Sequence, residues 1–207
     1  MVYPLPHSVR RCIVVSLTAG LILVGTVFTA KPASASNNGS TSCGGTPRTC
    51  VNISWYLTGL YRMYIHPNIG PNMVTELEWN MVFAFNATDV EMTRTYSSTA
   101  YETRVELTFD PLACCYAWVD CPVGTSTTGS HPNRRCAYIR LWVNGAYVDT
   151  SNGDPSFLAA LACHELAHTV GLRHSGVGSA SCVRDDVTAG VYQLTAHDKA
   201  HVQARYT

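Results

Sequence analysis

The sequence contains few charged residues and no excess of basic ones. Only 14% of its 207 residues are charged and 46% are hydrophobic, which excludes a disordered or polyelectrolyte chain. Lysine plus arginine (14) equals aspartate plus glutamate (14), but the first 35 residues hold three of the bases and no acid. Without that segment, 11 basic groups remain against 14 acidic ones. Because phosphate binding needs a concentrated basic surface, we expect no nucleic-acid partner.

No apolar run long enough to cross a bilayer occurs after the N-terminal segment. The one such run, residues 12–30, follows Arg10 and Arg11 and is followed by Ala33-Ser34-Ala35, the layout of a secretory signal peptide. The alternative is an uncleaved membrane anchor, since the run is long enough to span; Pro32 and the small residues after it favour cleavage. We therefore predict a signal peptide over 1–35, a flexible mature N-terminus over 36–50 and one domain over 51–207, secreted and not in the membrane.

No pair of cysteines has the C-x-x-C spacing of a zinc ribbon. Nine cysteines less Cys12 in the leader leave eight, and an even number in an exported chain indicates disulfides. Eight cysteines allow 105 connectivities, so spacing alone does not decide between them. We expect the pairs Cys43–Cys50, Cys121–Cys136 and Cys163–Cys182, and leave Cys114 and Cys115 unassigned.

Strand patterns lie around an early helix, and helices close the chain, which predicts an α+β fold. Apolar residues at four-residue spacing predict a helix over 72–85. In 103–109, Val105, Leu107 and Phe109 alternate with polar residues, as in a strand with one buried face. Further strands are expected at 51–57, 116–119 and 137–143, and a C-terminal helix from residue 195.

The helix that begins at Pro155 has the clearest boundaries. Asp154 can accept from the free N–H groups of the first turn, and proline suits the first helical position. Gly171 can adopt the positive φ that ends a helix. We predict a helix over 155–170.

This helix carries His164, Glu165 and His168, followed by His174. Histidines four residues apart project from one helix face and can reach a single ion. Glu165 is rotated by about 100° from His164, where its carboxylate can meet a water next to the metal without binding the metal. After a turn at Gly171, His174 can supply a third nitrogen, which predicts a Zn²⁺ site with one open position.

The bland reading of these residues is a buried amphipathic helix with satisfied histidines. A bare H-E-x-x-H recurs by chance, but five residues fixed at these spacings are expected on the order of 10⁻⁵ times in a chain of this length. The predicted cap and stop also place the motif on a helix with defined ends. We therefore favour the metal site.

The segment from His164 to His174, followed by Ser175, resembles the zinc signature H-E-x-x-H-x-x-G-x-x-H of the metzincin metalloendopeptidases, in its matrixin-like form. The resemblance implies a twisted mixed β-sheet above a cleft, an active-site helix beneath it, and a small C-terminal helical subdomain after Gly171. It also implies an antiparallel edge strand, here 116–119, to which an extended substrate adds as a further strand.

One feature departs from that family. No methionine follows Met92, although metzincins place a methionine-containing turn beneath the zinc ligands. The segment 181–183 lies at the corresponding distance, with Val183 where methionine is expected. Valine is smaller and stiffer, so it can keep an apolar contact and leave space. A Cys163–Cys182 disulfide would tie this turn to the residue before His164.

The combined prediction is a secreted zinc endopeptidase that acts as a monomer on extracellular protein or peptide, with Glu165 as general base and His164, His168 and His174 as zinc ligands. One alternative is a secreted, disulfide-stabilised, zinc-containing binding module with weak or no protease activity, which Val183 supports and Glu165 opposes. Another is a surface protein that keeps its leader as an anchor.

The remaining histidines have weaker patterns. His197 and His201 are four apart on the predicted C-terminal helix, but no acid or third ligand accompanies them in the manner of Glu165 and His174. A packed or solvated helix face is the favoured interpretation of that pair. His66 and His131 each precede proline and are expected in loops.

Overall fold

The computed structural model describes residues 53–54, 60–85, 88–113, 115–120, 135–136, 138–175 and 179–206. All of them belong to one compact unit, Pro32–Thr207. The predicted leader, the flexible segment 36–50 and the expected pairs Cys43–Cys50 and Cys121–Cys136 lie outside the residues or side chains described.

The described part of the chain contains three helices and seven strands. In chain order these are β1 (Ile53–Ser54), β2 (Leu60–Ile65), α1 (Pro71–Phe83), β3 (Glu91–Thr95), β4 (Thr103–Thr108), β5 (Ala117–Asp120), β6 (Arg135–Cys136), β7 (Ile139–Asn144), α2 (Pro155–Thr169) and α3 (Ala196–Tyr206). The predicted helices at 72–85, 155–170 and from 195 are confirmed within one or two residues at each defined end. Of the strand expected at 51–57, only β1 lies in the described residues.

Five strands form a mixed sheet in the order β3-β2-β4-β7-β5. All neighbours in it are parallel except β5, which runs antiparallel to β7 at one edge. The short strands β1 and β6 pair parallel in a separate two-stranded ribbon. The predicted α+β class and the antiparallel edge strand are both confirmed, while β2, β3 and β6 were not predicted.

The core lies between one face of the sheet and the two helices α1 and α2. Alternate residues of each central strand point into it, such as Met63 on β2, Val105 on β4 and Leu141 on β7, all fully buried. The two helices pack on each other, and the amide of Asn80 on α1 donates to the carbonyl of Ala159 on α2 (3.1 Å).

The predicted inward position of Phe109 is wrong. The strand β4 ends at Thr108, and Phe109 is 70% exposed. Its ring lies against Gly145, so close that an added Cβ at Gly145 would meet it at 2.5 Å. The ring therefore covers a turn outside the core.

Candidate metal centre

Three imidazole rings converge on one point at the C-terminal end of α2. The Nε2 atoms of His164 and His168 are 3.0 Å apart, those of His164 and His174 are 3.2 Å apart, and those of His168 and His174 are 3.1 Å apart. Within the described residues, this is the only group of three or more potential ligand side chains that can hold a metal ion. His164 and His168 are buried, and His174 is exposed.

The helix α2 holds the first two rings rigidly. Its N-cap Asp154 accepts a hydrogen bond from the backbone N–H of Ser156 (2.9 Å), and Pro155 occupies the first helical position, as predicted. Every residue from Leu158 to Thr169 is buried. The turn that carries these two histidines is therefore part of the core, and its backbone cannot shift without disturbing the packing.

A Schellman motif ends α2 and brings the chain back to the rings. Gly171 has φ 93°, which favours glycine. Its N–H donates to the carbonyl of His168 (3.0 Å), and the N–H of Leu172 donates to the carbonyl of Ala167 (3.1 Å). The chain turns so sharply that the Leu172 carbonyl faces the ring of His168 and His174 joins the cluster three residues after Gly171.

Each ring is oriented through its other nitrogen. Nδ1 of His164 donates to the carbonyl of Cys182 (2.8 Å), and Nδ1 of His168 donates to the carbonyl of Leu172 (2.8 Å). Nδ1 of His174 lies 3.2 Å from Oδ1 of Asp185. Because carbonyl and carboxylate oxygens only accept, the proton of each neutral ring is on Nδ1, and each Nε2 presents a lone pair.

Three lone pairs that face one another are the donor set of a cation. Nitrogens about 2.0–2.1 Å from a tetrahedral zinc ion are roughly 3.3 Å from one another, close to the separations found here. Burial lowers the pKa of His164 to about 4, and burial together with the neighbouring His164 places the pKa of His168 well below its ordinary value. Neutral imidazoles with anchored Nδ1 atoms fit zinc in chemistry and in spacing.

The turn at 181–185 supports two of the three rings. The predicted disulfide between Cys163 and Cys182 is confirmed, and it joins this turn to the residue before His164. The carbonyl of Val183 accepts from the N–H of Ser175 (2.8 Å), next to His174. Val183 itself is fully buried in the core. The turn therefore contacts the cluster through the Cys182 carbonyl at His164 and the Asp185 carboxylate at His174.

Glu165 is buried beside the cluster without a compensating charge. It is 3% exposed, and its Oε2 atom has no hydrogen-bond partner. Burial raises the pKa of its carboxyl to about 8. A carboxylate oxygen that is desolvated and unpaired can take up a proton near neutral pH, which is the property that a general base requires.

Sequence reasoning did not identify Asp185 or the two backbone carbonyls that orient His164 and His168. Asp185 lies two residues beyond Val183, in no motif, and its relation to His174 exists only after the turn has folded. The carbonyls of Leu172 and Cys182 have no side-chain signature at all. The positive-φ position at Gly171 was the one signal available for that part of the site.

The other histidines in the described part of the chain, His66, His197 and His201, lie outside this cluster. His197 and His201 lie together on α3, and His66 accepts from the N–H of Asn68 in the loop after β2. A cavity of about 520 Å³ between Phe109 and the turn 145–151 is lined by none of the predicted site residues. We assign the chemistry to the cluster because the cavity has no convergent titratable groups among its lining residues.

Comparison with known proteins leaves function to be inferred from these residues. No protein-family model and no curated protein matches the chain. Among solved structures it is similar to one of myroilysin, with 11% identity and a TM-score of 0.45 over 74% of this chain and 95% of that one. A second myroilysin structure has 14% identity and a TM-score of 0.37, over 59% of this chain and 47% of that one. High choriolytic enzyme 1 is a hatching enzyme zinc-protease from the medaka fish Oryzias latipes. Its structure has 16% identity and a TM-score of 0.35, over 66% of this chain and 55% of that one.

The chain spans about half the length of the last two proteins. At these levels of identity and overlap, the likenesses establish neither an activity nor a substrate. In the described part of the chain, no helix combines the length and the apolar character that crossing a bilayer requires.

Proposed function

We propose that the protein is a secreted zinc-dependent endopeptidase in which His164, His168 and His174 hold the ion and Glu165 is the general base. The observation that carries the proposal is the convergence of three Nε2 lone pairs, each fixed by an acceptor at Nδ1, next to a buried carboxylate with an unpaired oxygen. A structural zinc site needs no such carboxylate.

Zinc, when bound to three imidazoles, supplies a Lewis acid that polarises a carbonyl oxygen and lowers the pKa of water. The protein's own contribution begins with Glu165, which accepts the proton of the attacking water at Oε2. The same oxygen then delivers the proton to the leaving amine, so that the carboxylate is regenerated in each cycle. Burial raises the pKa of the Glu165 carboxyl, which favours the protonated form that exists between the two transfers.

The substrate is an extracellular protein or peptide that binds in extended form. The edge strand β5 is antiparallel to β7 and packs against α2, the helix that carries Glu165. An extended peptide that pairs with such an edge is held by main-chain hydrogen bonds, independently of its sequence. We propose that the substrate pairs with β5 in this way, and that the enzyme acts as a monomer.

Secretion is supported by two independent features. Residues 1–35 have the layout of a cleaved signal peptide. The Cys163–Cys182 disulfide lies in the core and persists in oxidising compartments, and Cys115 is disulfide-bonded as well. A mass measurement on protein recovered from the medium tests cleavage after Ala35.

The proposal is tested by measuring zinc content and peptide cleavage on the same preparations of wild type, Glu165→Ala and His168→Ala. Wild type should bind zinc and digest casein, and a chelator should stop digestion. Glu165→Ala should keep the zinc and lose cleavage, typically by 10²–10⁴-fold for a general base. His168→Ala should lose both.

Two results would contradict the proposal in different ways. Zinc binding by wild type without cleavage of casein or of a mixed peptide library would favour the zinc-containing binding module. If wild type contained no stoichiometric zinc, both the proposed zinc site and the proposed endopeptidase activity would be contradicted.

A further inference from the structure

The helix α3 carries a second histidine pair that the proposed reaction does not use. His197 and His201 are four residues apart, and their Nε2 atoms are 3.1 Å from each other. His197 is exposed and His201 is buried. The pair therefore lies at the protein surface, with one ring fixed by packing and the other open to solvent.

The geometry of this pair matches that of His164 and His168. The ring centroids are 4.4 Å apart and the ring planes meet at 81°, compared with 4.6 Å and 89° for the first pair. Two imidazoles that face each other head-on across an N–H···N bond have centroids about 5.4 Å apart, given a normal bond length. Both observed centroid distances are shorter than this value. The two rings of each pair are therefore tilted relative to the line that joins their Nε2 atoms.

The first turn of α3 is fixed independently of any ion. The hydroxyl of Thr195 accepts from the N–H of Asp198 (3.2 Å), and the carboxylate of Asp198 accepts from the N–H of Thr195 (2.9 Å). This reciprocal arrangement is a capping box. Tyr206 at the other end of α3 donates to the carbonyl of Val170 (3.5 Å), so the helix is held against the end of α2. The two rings are consequently presented on a preorganised helix face.

We propose that His197 and His201 form a second metal site, separate from the first, for a borderline divalent cation such as Cu²⁺ or Zn²⁺. Imidazole is a preferred ligand of both ions, and a helical i, i+4 pair supplies two nitrogens to one ion without rearrangement of the backbone. Copper binds more tightly than zinc at the same nitrogen ligands. Water completes the coordination on the exposed side, beside His197.

The test counts bound ions by equilibrium dialysis and elemental analysis of the purified protein, with Cu²⁺ and Zn²⁺ in separate experiments. His197→Gln should bind one ion fewer than wild type, whatever the occupancy of the first site. With Cu²⁺ bound, electron paramagnetic resonance spectra are recorded for wild type and for His197→Gln. The signal present only in wild type should show coupling to two imidazole nitrogens. His66→Gln, which removes a histidine with no partner at helical spacing, should bind as many ions as wild type.

Since His197 is exposed, its replacement should not unfold the protein, and a thermal melt checks this. His201→Gln should cause the same loss of one ion. Equal numbers of ions in wild type and His197→Gln would overturn the proposal and leave an imidazole–imidazole hydrogen bond only. If His164, His168 and His174 bind no ion, wild type still exceeds His197→Gln by one, so the two sites are judged separately.

Discussion

The carbonyl oxygen of Cys182 accepts a hydrogen bond from Nδ1 of His164 at 2.8 Å, across 18 residues of sequence. The same cysteine is joined by its sulfur to Cys163, the neighbour of His164. Cys182 thus contacts the ring of His164 through its backbone carbonyl and is bonded to α2 through its side chain. The disulfide therefore ties the turn at 181–185 covalently to α2, at the residue before His164.

Replacement of both cysteines, Cys163→Ala with Cys182→Ala, should weaken zinc binding as well as folding. Loss of a disulfide that closes a loop of this size destabilises by about 3 kcal/mol. Once the Cys182 carbonyl is no longer held at Nδ1 of His164, zinc affinity should fall about 10–100-fold, as for other lost contacts to a ligand. Denaturant unfolding and competition with a zinc-binding dye measure the two effects.

A control with similar instability separates these effects. Leu141→Ala on β7 leaves a cavity in the core and should cost roughly 2–5 kcal/mol without touching the turn. Its folded fraction should bind zinc with wild-type affinity. Equal losses of zinc affinity in both variants would mean that the disulfide acts on global stability alone.

The contact between Asp185 and His174 predicts a second graded effect on zinc affinity. Asp185→Ala should weaken zinc binding about 10-fold, because the exposed ring of His174 loses the acceptor that orients it. Asp185→Asn should have a smaller effect, since an amide oxygen still accepts from Nδ1. Zinc titrations of the variants check the order.

The neighbouring Asp186 provides the matched control for Asp185. It carries the same charge, but it pairs with Arg184 (2.9 Å). Asp186→Ala should therefore leave zinc affinity close to that of wild type. A comparable loss in both variants would show that net negative charge near the site matters, and not the orientation of His174.

The sequence predicted those parts of the molecule that have local signatures. The helix α2 was predicted from a cap, a proline and a terminal glycine, and its two histidines share a face for the same local reason. β2 was missed because Tyr64 faces away from the core yet is aromatic, so the strand has no apolar–polar alternation. β3 is an edge strand whose only buried side chain is Met92. Neither strand has a pattern of its own.

The unpredicted parts of the site depend on contacts between distant segments. Asp185 meets His174, and the Cys182 carbonyl meets His164, only because the Schellman turn redirects the chain after α2 and the disulfide holds Cys182 at Cys163. A carbonyl is present at every residue, so its identity as an anchor cannot be read from residue type. The three histidines of the cluster were therefore accessible from sequence, whereas the groups that orient them were not.

Gly171 connects backbone conformation to ligand orientation, which makes it the sharpest test of the turn. Gly171→Ala forces a side chain into φ 93° and should destabilise by about 1–2 kcal/mol. Relief of that strain moves the following residue, Leu172, whose carbonyl holds Nδ1 of His168. Zinc affinity should therefore fall together with the melting temperature.

Gly190→Ala is the matched control, since Gly190 has φ 84° and open space where the Cβ would lie. Its N–H faces the carbonyl of Ser156 in the first turn of α2, more than two turns before His168. The two variants should lose similar unfolding free energy, but Gly190→Ala should keep wild-type zinc affinity. If zinc binding falls equally in both, strain anywhere in the fold loosens the cluster, and the Leu172 carbonyl has no special part in orienting His168.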